Sequence, residues 1–379
     1  MSQDEIDFAA TRRATDEQLA ARIAAIRQGQ DIDALVPFAK AYLGLFREID
    51  PALAPATRLL MVASPEVADA VLTGFDRVLR RSDIAPPCDI VAAGDRAYCE
   101  AFGYVMLAGM HRRAARSLDQ AIDLPDATLC AALAYYYLQP LGAPAPWVNA
   151  LIRRRPALAA SALLGLWQAL LPDALHLPGL TMLLQDSDSV PVLQRVLLPL
   201  LSAWTQCRRA DLESLLRAAL RYVDASALLQ VAQAVLARGE DLDVAKRVYW
   251  LATAFVLEPD AHAAALANYA GRSRDKVLPL VDFIGAALDR GVAHAARLPA
   301  SALGQLLRII APQFRRNHHE MGELDAVSQT VLRLFAMLIE CGGPEAVQTV
   351  QALRKVRVMR CYADVLNAVE ARLHGTAAG

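Results

Sequence analysis

Apolar residues recur along this chain at steps of three and four. Val67, Val71, Phe75 and Val78 share one helical face. So do Val277, Val281, Ile284 and Leu288, and so do Leu324, Val327, Val331, Leu334 and Leu338. This spacing buries one side of a helix and leaves the other wet. No run reads as the core of a β-sheet. The pattern predicts helices near 5–28, 32–48, 52–62, 65–80, 97–119, 125–138, 146–154 and 157–171. Further helices are predicted near 189–206, 209–221, 225–238, 243–257, 260–269, 274–290, 301–313, 323–341, 344–356 and 360–373.

Local signals mark many of the ends. Ser64-Pro65-Glu66 opens a helix: Ser caps free N–H groups, Pro suits the first turn, and Glu favours the positive end of the dipole. Asp224-Ala225-Ser226 and Pro344-Glu345 read as further starts, and Gly239 and Gly343 as stops. The short connections make sequential helices antiparallel neighbours. The expected fold is therefore all-α, an irregular array of antiparallel helical hairpins resembling a HEAT or TPR α-solenoid. No tetratricopeptide, ankyrin or leucine-rich signature recurs, and helix pairs repeat at roughly 35–45 residues, a spacing compatible with HEAT-like stacking.

Two stretches interrupt the pattern. Leu138 to Trp147 carries three prolines and a glycine, and Pro172 to Asp188 contains Pro172, Pro178 and Gly179. The first is the preferred boundary, between an N-terminal lobe at 1–138 and a C-terminal helical array at 147–379. The longest apolar run, Ala157 to Leu171, is bracketed by Pro156 and Pro172. It falls short of the roughly 20 residues of a membrane span and reads as a fully buried helix.

Composition agrees. Hydrophobic residues make up 55% of the 379 but aromatics only 6%, so the apolar content is chiefly Ala, Leu and Val. Ala and Leu are the strongest helix formers among these. Net charge is −1, which supplies no global field toward nucleic acid or anionic lipid. Cys88, Cys99, Cys130, Cys207, Cys341 and Cys361 form no CxxC pair and read as small core residues of a reducing compartment. Met1 to Ala10 is acidic and lacks a signal-peptide pattern, so a cytoplasmic protein without membrane contact is expected.

Catalytic chemistry has little foothold. A P-loop needs backbone amides and a Gly-Lys step to cradle phosphates, and the chain has no Gly-Lys dipeptide, no GxGxxG and no GxSxG. The densest metal-like cluster is Arg315 to Glu323, with His318, His319, Glu320 and Glu323. The HExxH zinc motif requires His where Glu323 stands, and the cluster lies in a polar gap between helices. A solvated loop is the simpler reading. His111, His176, His262, His294 and His374 are scattered and read as surface or cap residues. No cofactor and no metal site follow.

Basic clusters are more numerous: Arg112, Arg113 and Arg116; Arg153, Arg154 and Arg155; Arg208 and Arg209; Arg272, Arg274 and Lys276; Arg354, Lys355 and Arg357. Most sit at helix ends, where cations complement the C-terminal dipole. Arg272-Ser273-Arg274 precedes a helix and has the chemistry to hold a phosphate, against the plainer reading of a solvated helix end. Tyr135-Tyr136-Tyr137 spans three directions of one helix, so at least one ring is expected to be exposed or at a lobe interface. Val248-Tyr249-Trp250-Leu251 lies in the most apolar helix of the second half. Core packing is the default for both aromatic groups, with an exposed tyrosine as the alternative anchor for a partner. The candidate interaction residues are Arg153, Arg154, Arg155, Arg272, Arg274, Lys276 and Tyr136.

A further set of segments runs in order along the chain: Gly29-Gln30-Asp31 with Leu35 to Ala39 and Tyr42 to Phe46; Val78 to Pro86; and Leu107 to Met110. Ala245-Lys246-Arg247-Val248-Tyr249-Trp250-Leu251-Ala252 follows, then Lys276 to Gly285 and Leu303 to Phe314. Together they resemble the long helical C-terminal region of large bacterial STAND-type NTPases, which carry NACHT-like P-loop modules. The likeness runs in order over roughly residues 20–370, and its pieces are mostly apolar with a few fixed polar positions. It implies a helical sensor or interaction region of an anti-phage system. The chain departs from those proteins in having no P-loop module, so switching and effector activities are not implied. The expectation is a non-enzymatic recognition scaffold whose partner is a protein, an NTPase or a phage protein; nucleic acid gains no support from net charge. The alternatives are an enzyme with a helical-bundle metal site, a protein–protein adaptor unrelated to defence, and a membrane-active helical protein.

Overall fold

A computed structural model describes residues 13, 16–92, 96–139, 145–171, 176–204, 206–238, 242–271, 273–289, 295, 297–313 and 323–376 of the chain. The described residues form 21 α-helices and four short 3-10 turns, with no β-strand among them. The all-α expectation holds. The chain divides into two compact units, Met1–Val196 and Leu197–Gly379. Most of the proline-rich break expected at 139–146 lies outside the described residues, at 140–144.

The first unit holds α1 (Ile23–Arg27), α2 (Ile32–Leu43), α3 (Pro55–Val62), α4 (Pro65–Val78), α5 (Pro87–Ala92) and α6 (Arg96–Arg116). It continues with α7 (Leu118–Ile122), α8 (Asp126–Leu138), α9 (Pro146–Arg154), α10 (Pro156–Leu170) and α11 (Leu180–Gln185). The helix α12 (Val190–Ala203) contains the division. The longest of these, α6, packs against α2, α4, α7, α8 and α9. On the other side of α8, α10 covers both α8 and α5.

Sequence dictates the ends closely. Ser64 Oγ accepts the Val67 N–H at 3.4 Å and Pro65 occupies the first turn of α4, whose Val67, Val71, Phe75 and Val78 are all buried. Ser117 interrupts the long helix expected at 97–119: its Oγ accepts the Gln120 N–H at 3.3 Å and starts α7. The helix expected at 32–48 stops at Leu43. Gly44 takes φ +78°, a left-handed conformation that ends the helix, and the Gly44 and Leu45 N–H groups bond back to Ala41 and Lys40. At the other end Asp31 caps Ala34 N–H at 3.2 Å and forms two 2.6 Å bonds with Arg22, which hold its carboxyl below the usual carboxylate range. The apolar run 157–171 forms α10, but it is buried on one face only. Ala157, Ser161 and Gln168 are exposed at helical spacing, because small and polar residues line its outer side. Among the described residues no helix is long and apolar enough to cross a membrane.

The second unit holds α13 (Arg209–Tyr222), α14 (Ala225–Arg238), α15 (Val244–Leu257), α16 (Pro259–Ala270) and α17 (Arg274–Asp289). It ends with α18 (Ala300–Ile310), α19 (Glu323–Cys341), α20 (Gly343–Arg354) and α21 (Ala363–Thr376). Here α13 packs on α15, α15 on α17, α17 on α19 and α19 on α21, while α16 packs on α18 and α18 on α20. Alternate helices therefore stack on one another, as successive hairpins do. Gly342 and Gly343, both at positive φ, make the turn between α19 and α20.

Close backbone approach sets the packing of α1 on α4. A Cβ placed on Gly74 would lie 2.2 Å from the Ile26 carbonyl oxygen, with Leu35 at 3.2 Å behind it. Neither backbone has room to yield. Gly74→Ala is expected to lower the stability of the first unit by about 1–3 kcal/mol, as overpacking does, read from urea unfolding followed by circular dichroism. An unchanged midpoint would contradict this view of the α1–α4 contact.

Candidate functional site

The arginine run at the end of α9 is the most concentrated basic feature of the first unit. Three cations at a helix C-terminus complement its dipole. Each also has its own carboxylate, drawn from a different element. Arg153 pairs with Asp188 at 2.6 Å, in the 3-10 turn at 187–189. Arg154 pairs with Asp119 of α7, and Arg155 pairs with Asp126, the first residue of α8, at 2.6 Å. Exposed pairs of this kind contribute little stability singly. Their consequence is electrostatic, because the run is neutralised residue by residue and ties three segments to the end of α9.

Beside this clasp lies a groove of about 350 Å³ between α8, α9 and α11. Val148, Ile152 and Leu183 form its apolar floor and are buried. Met182 projects at its edge with 42% of its surface exposed. The opposite rim is charged, with Asp186, Asp188 and Arg153. Asp186 is fixed in place by accepting the Asp188 N–H and the Ser189 hydroxyl, both at 3.0 Å. The segment leading into α11 is held by Trp167, whose indole N–H donates to the Pro178 carbonyl at 2.9 Å. Burial, then the neighbouring Tyr136 and Asp186, push the Tyr137 phenol up, so its hydroxyl stays protonated in the groove wall.

The three consecutive tyrosines separate as their spacing requires. Tyr135 is buried against Phe102, with ring centroids 6.0 Å apart. Tyr136 is only 6% exposed; its ring meets Trp147 edge-on at 5.8 Å and its hydroxyl accepts the Ala145 N–H at 3.2 Å. It packs the core and borders the groove from below, and does not stand out as an anchor. Tyr137 is the half-buried ring of the three.

In the second unit, Arg272 lies outside the described residues. Arg274 is exposed at the start of α17, and the Lys276 ammonium sits 4.0 Å over the Tyr269 ring, with the Arg247 guanidinium 5.2 Å from the same ring. Such contacts orient cations over an aromatic face. Val248, Tyr249, Trp250 and Leu251 are all buried and pack the core. Tyr249 stacks on Phe283 at 5.6 Å, and burial with Glu213 and Asp282 nearby pushes its phenol up to about 12.

The remaining arginine clusters repeat the theme. Arg112 and Arg116 share Asp76 at 2.7 and 3.4 Å, Arg208 holds Asp211 at 2.9 Å, Arg209 reaches Asp243 at 3.3 Å, and Arg354 meets Glu370 at 2.6 Å. The cluster of His318, His319 and Glu320 lies outside the described residues. Among the described residues no group of three or more His, Cys, Asp or Glu is placed to hold a metal ion. Sequence reasoning missed the aspartate partners of the 153–155 run. Asp126 carried a signal, since a carboxylate in a first helical turn is a regular feature; the pairing itself depends on tertiary placement. Comparison with protein-family models, with curated proteins and with solved structures gives no match for this chain.

Removing the negative halves of the clasp should uncover the arginines. The triple variant Asp119→Asn, Asp126→Asn, Asp188→Asn is expected to elute from a heparin column at higher salt than the natural chain, while each single change costs less than about 1 kcal/mol. Equal elution of the two proteins would contradict the neutralised clasp.

Proposed function

We propose that this chain is a non-enzymatic helical recognition scaffold that binds a partner protein. The observation that carries the reading is the α8–α9–α11 groove, with an apolar floor, an exposed methionine at its edge and a charged rim fixed by internal bonds. Protein-binding patches share this anatomy of apolar centre and polar border, and methionine adapts to irregular partner surfaces. Stacked hairpins suit the same role, because helix pairs present residues from several turns on one continuous surface. A protein ligand fits better than a polyanion, since the arginine run beside the groove is already paired.

The resemblance to the helical tails of STAND-type NTPases supports a finer reading. In it the chain is the sensor part of a cytoplasmic bacterial anti-phage system, and its partner is an NTPase or a phage protein.

Affinity purification of the tagged chain from its native host, with and without phage challenge, tests this. The expected result is a stoichiometric NTPase, or a phage protein present only after infection, lost when Met182→Glu places a charge at the groove edge. A partner retained by Met182→Glu would move recognition away from the groove. A clean monomer under both conditions would contradict the sensor reading.

A further inference from the structure

The groove between α8, α9 and α11 is not neutral. Its charged lining residues among those described are Arg153, Asp186 and Asp188. Arg153 and Asp188 satisfy each other at 2.6 Å. Asp186 pairs with no cation among the described residues. Its carboxylate meets only donors of its own turn, the Asp188 N–H on one oxygen and the Ser189 hydroxyl on the other, each at 3.0 Å. Neither donor carries charge, so one negative charge in the groove is left without its opposite.

That carboxylate is also held in place. Asp186 is half-buried, Ser189 is fully buried, and the Ser189 N–H bonds the Asp186 carbonyl at 3.1 Å. Swinging the carboxyl away would break both of its bonds within the turn. A binding group ordered beforehand loses little freedom when a ligand arrives. The rest of the lining is apolar or uncharged. Val148, Ile152 and Leu183 form the floor, Met182 stands exposed at the edge, and the Tyr137 ring is seated against the Gly179 backbone with no room for a Cβ between them.

This combination selects its occupant. An aliphatic side chain would cover the floor but press on Asp186, stripping water from a charge and returning nothing. An acidic side chain would be repelled. A lysine or arginine meets both demands, because its methylene stem lies on apolar surface while its head stays charged and within reach of water.

We propose, on the footing that this groove is the recognition site, that the partner inserts a single basic side chain into it, with the stem on Val148, Ile152 and Leu183 and the cation against Asp186. An apolar neighbour in the same partner segment meets Met182. The Arg153–Asp188 pair keeps the number of cations at one, since a released Asp188 would offer a second carboxylate.

A displayed library of random twelve-residue peptides, panned on the full chain, tests this. The enriched peptides are expected to share a lysine or arginine beside an apolar residue. In a synthetic copy, replacing that basic residue by glutamine should weaken binding to the natural chain about fivefold, the scale of one partly exposed ion pair. Against Asp186→Asn the same replacement should change nothing, and the asparagine keeps an oxygen to accept the Asp188 N–H. Arg153→Gln supplies a gain that misfolding cannot imitate: with Asp188 released, the basic peptide should bind about threefold tighter. Peptides that shift the Met182 methyl resonance yet are indifferent to their basic residue would overturn this inference and leave the groove as the recognition site. Peptides that leave that resonance in place, or no enrichment at all, would overturn both.

Discussion

The constraint on which this structure depends is that its helices are too short to stand alone. Most run 8–16 residues, and isolated helices below about 12–15 residues are marginal in water. Each must therefore bury a face against a neighbour, and the order of neighbours becomes the fold. In the first unit α6 supplies the surface on which α2, α4 and α8 settle. In the second, each helix finds the next, and most also find the next but one. Where backbones come closest, as at Gly74 and Ile26, a side chain has been given up altogether.

The same economy governs charge. A chain with 39 basic and 40 acidic residues has the means to neutralise its arginines locally, and most of the described arginine clusters do so with carboxylates, several of them from other elements. These pairs act as positional ties more than as sources of stability. Arg58 is the exception, since it is buried and spends its donors on backbone carbonyls. The groove beside α9 sets an apolar floor and the exposed Met182 next to this paired charge.

Much of the fold was legible in the residues, for a physical reason. The faces of α4, α17 and α19 follow from spacing alone, because a periodic apolar stripe has one stable outcome in water. The Ser64 start was equally plain. Ser117 and Gly44 were read through, since a continuing apolar pattern concealed a cap and a left-handed residue that only backbone geometry reveals. The site was less legible. The arginines at 153–155 were visible, but Asp119, Asp126 and Asp188 are distant in sequence and join them only through tertiary packing. Spacing announced three tyrosine directions without telling which one met Trp147 and which one met the groove.

The central claim is that the α8–α9–α11 groove is where a partner protein binds. The most direct measurement places a photo-crosslinking amino acid at position 182, with position 332 as a control. Leu332 is exposed in the second unit and lines none of the described grooves. After irradiation of host cells, the account predicts one discrete adduct at 182 and none at 332. An adduct at 332 alone, or the same adducts at both positions, would contradict it.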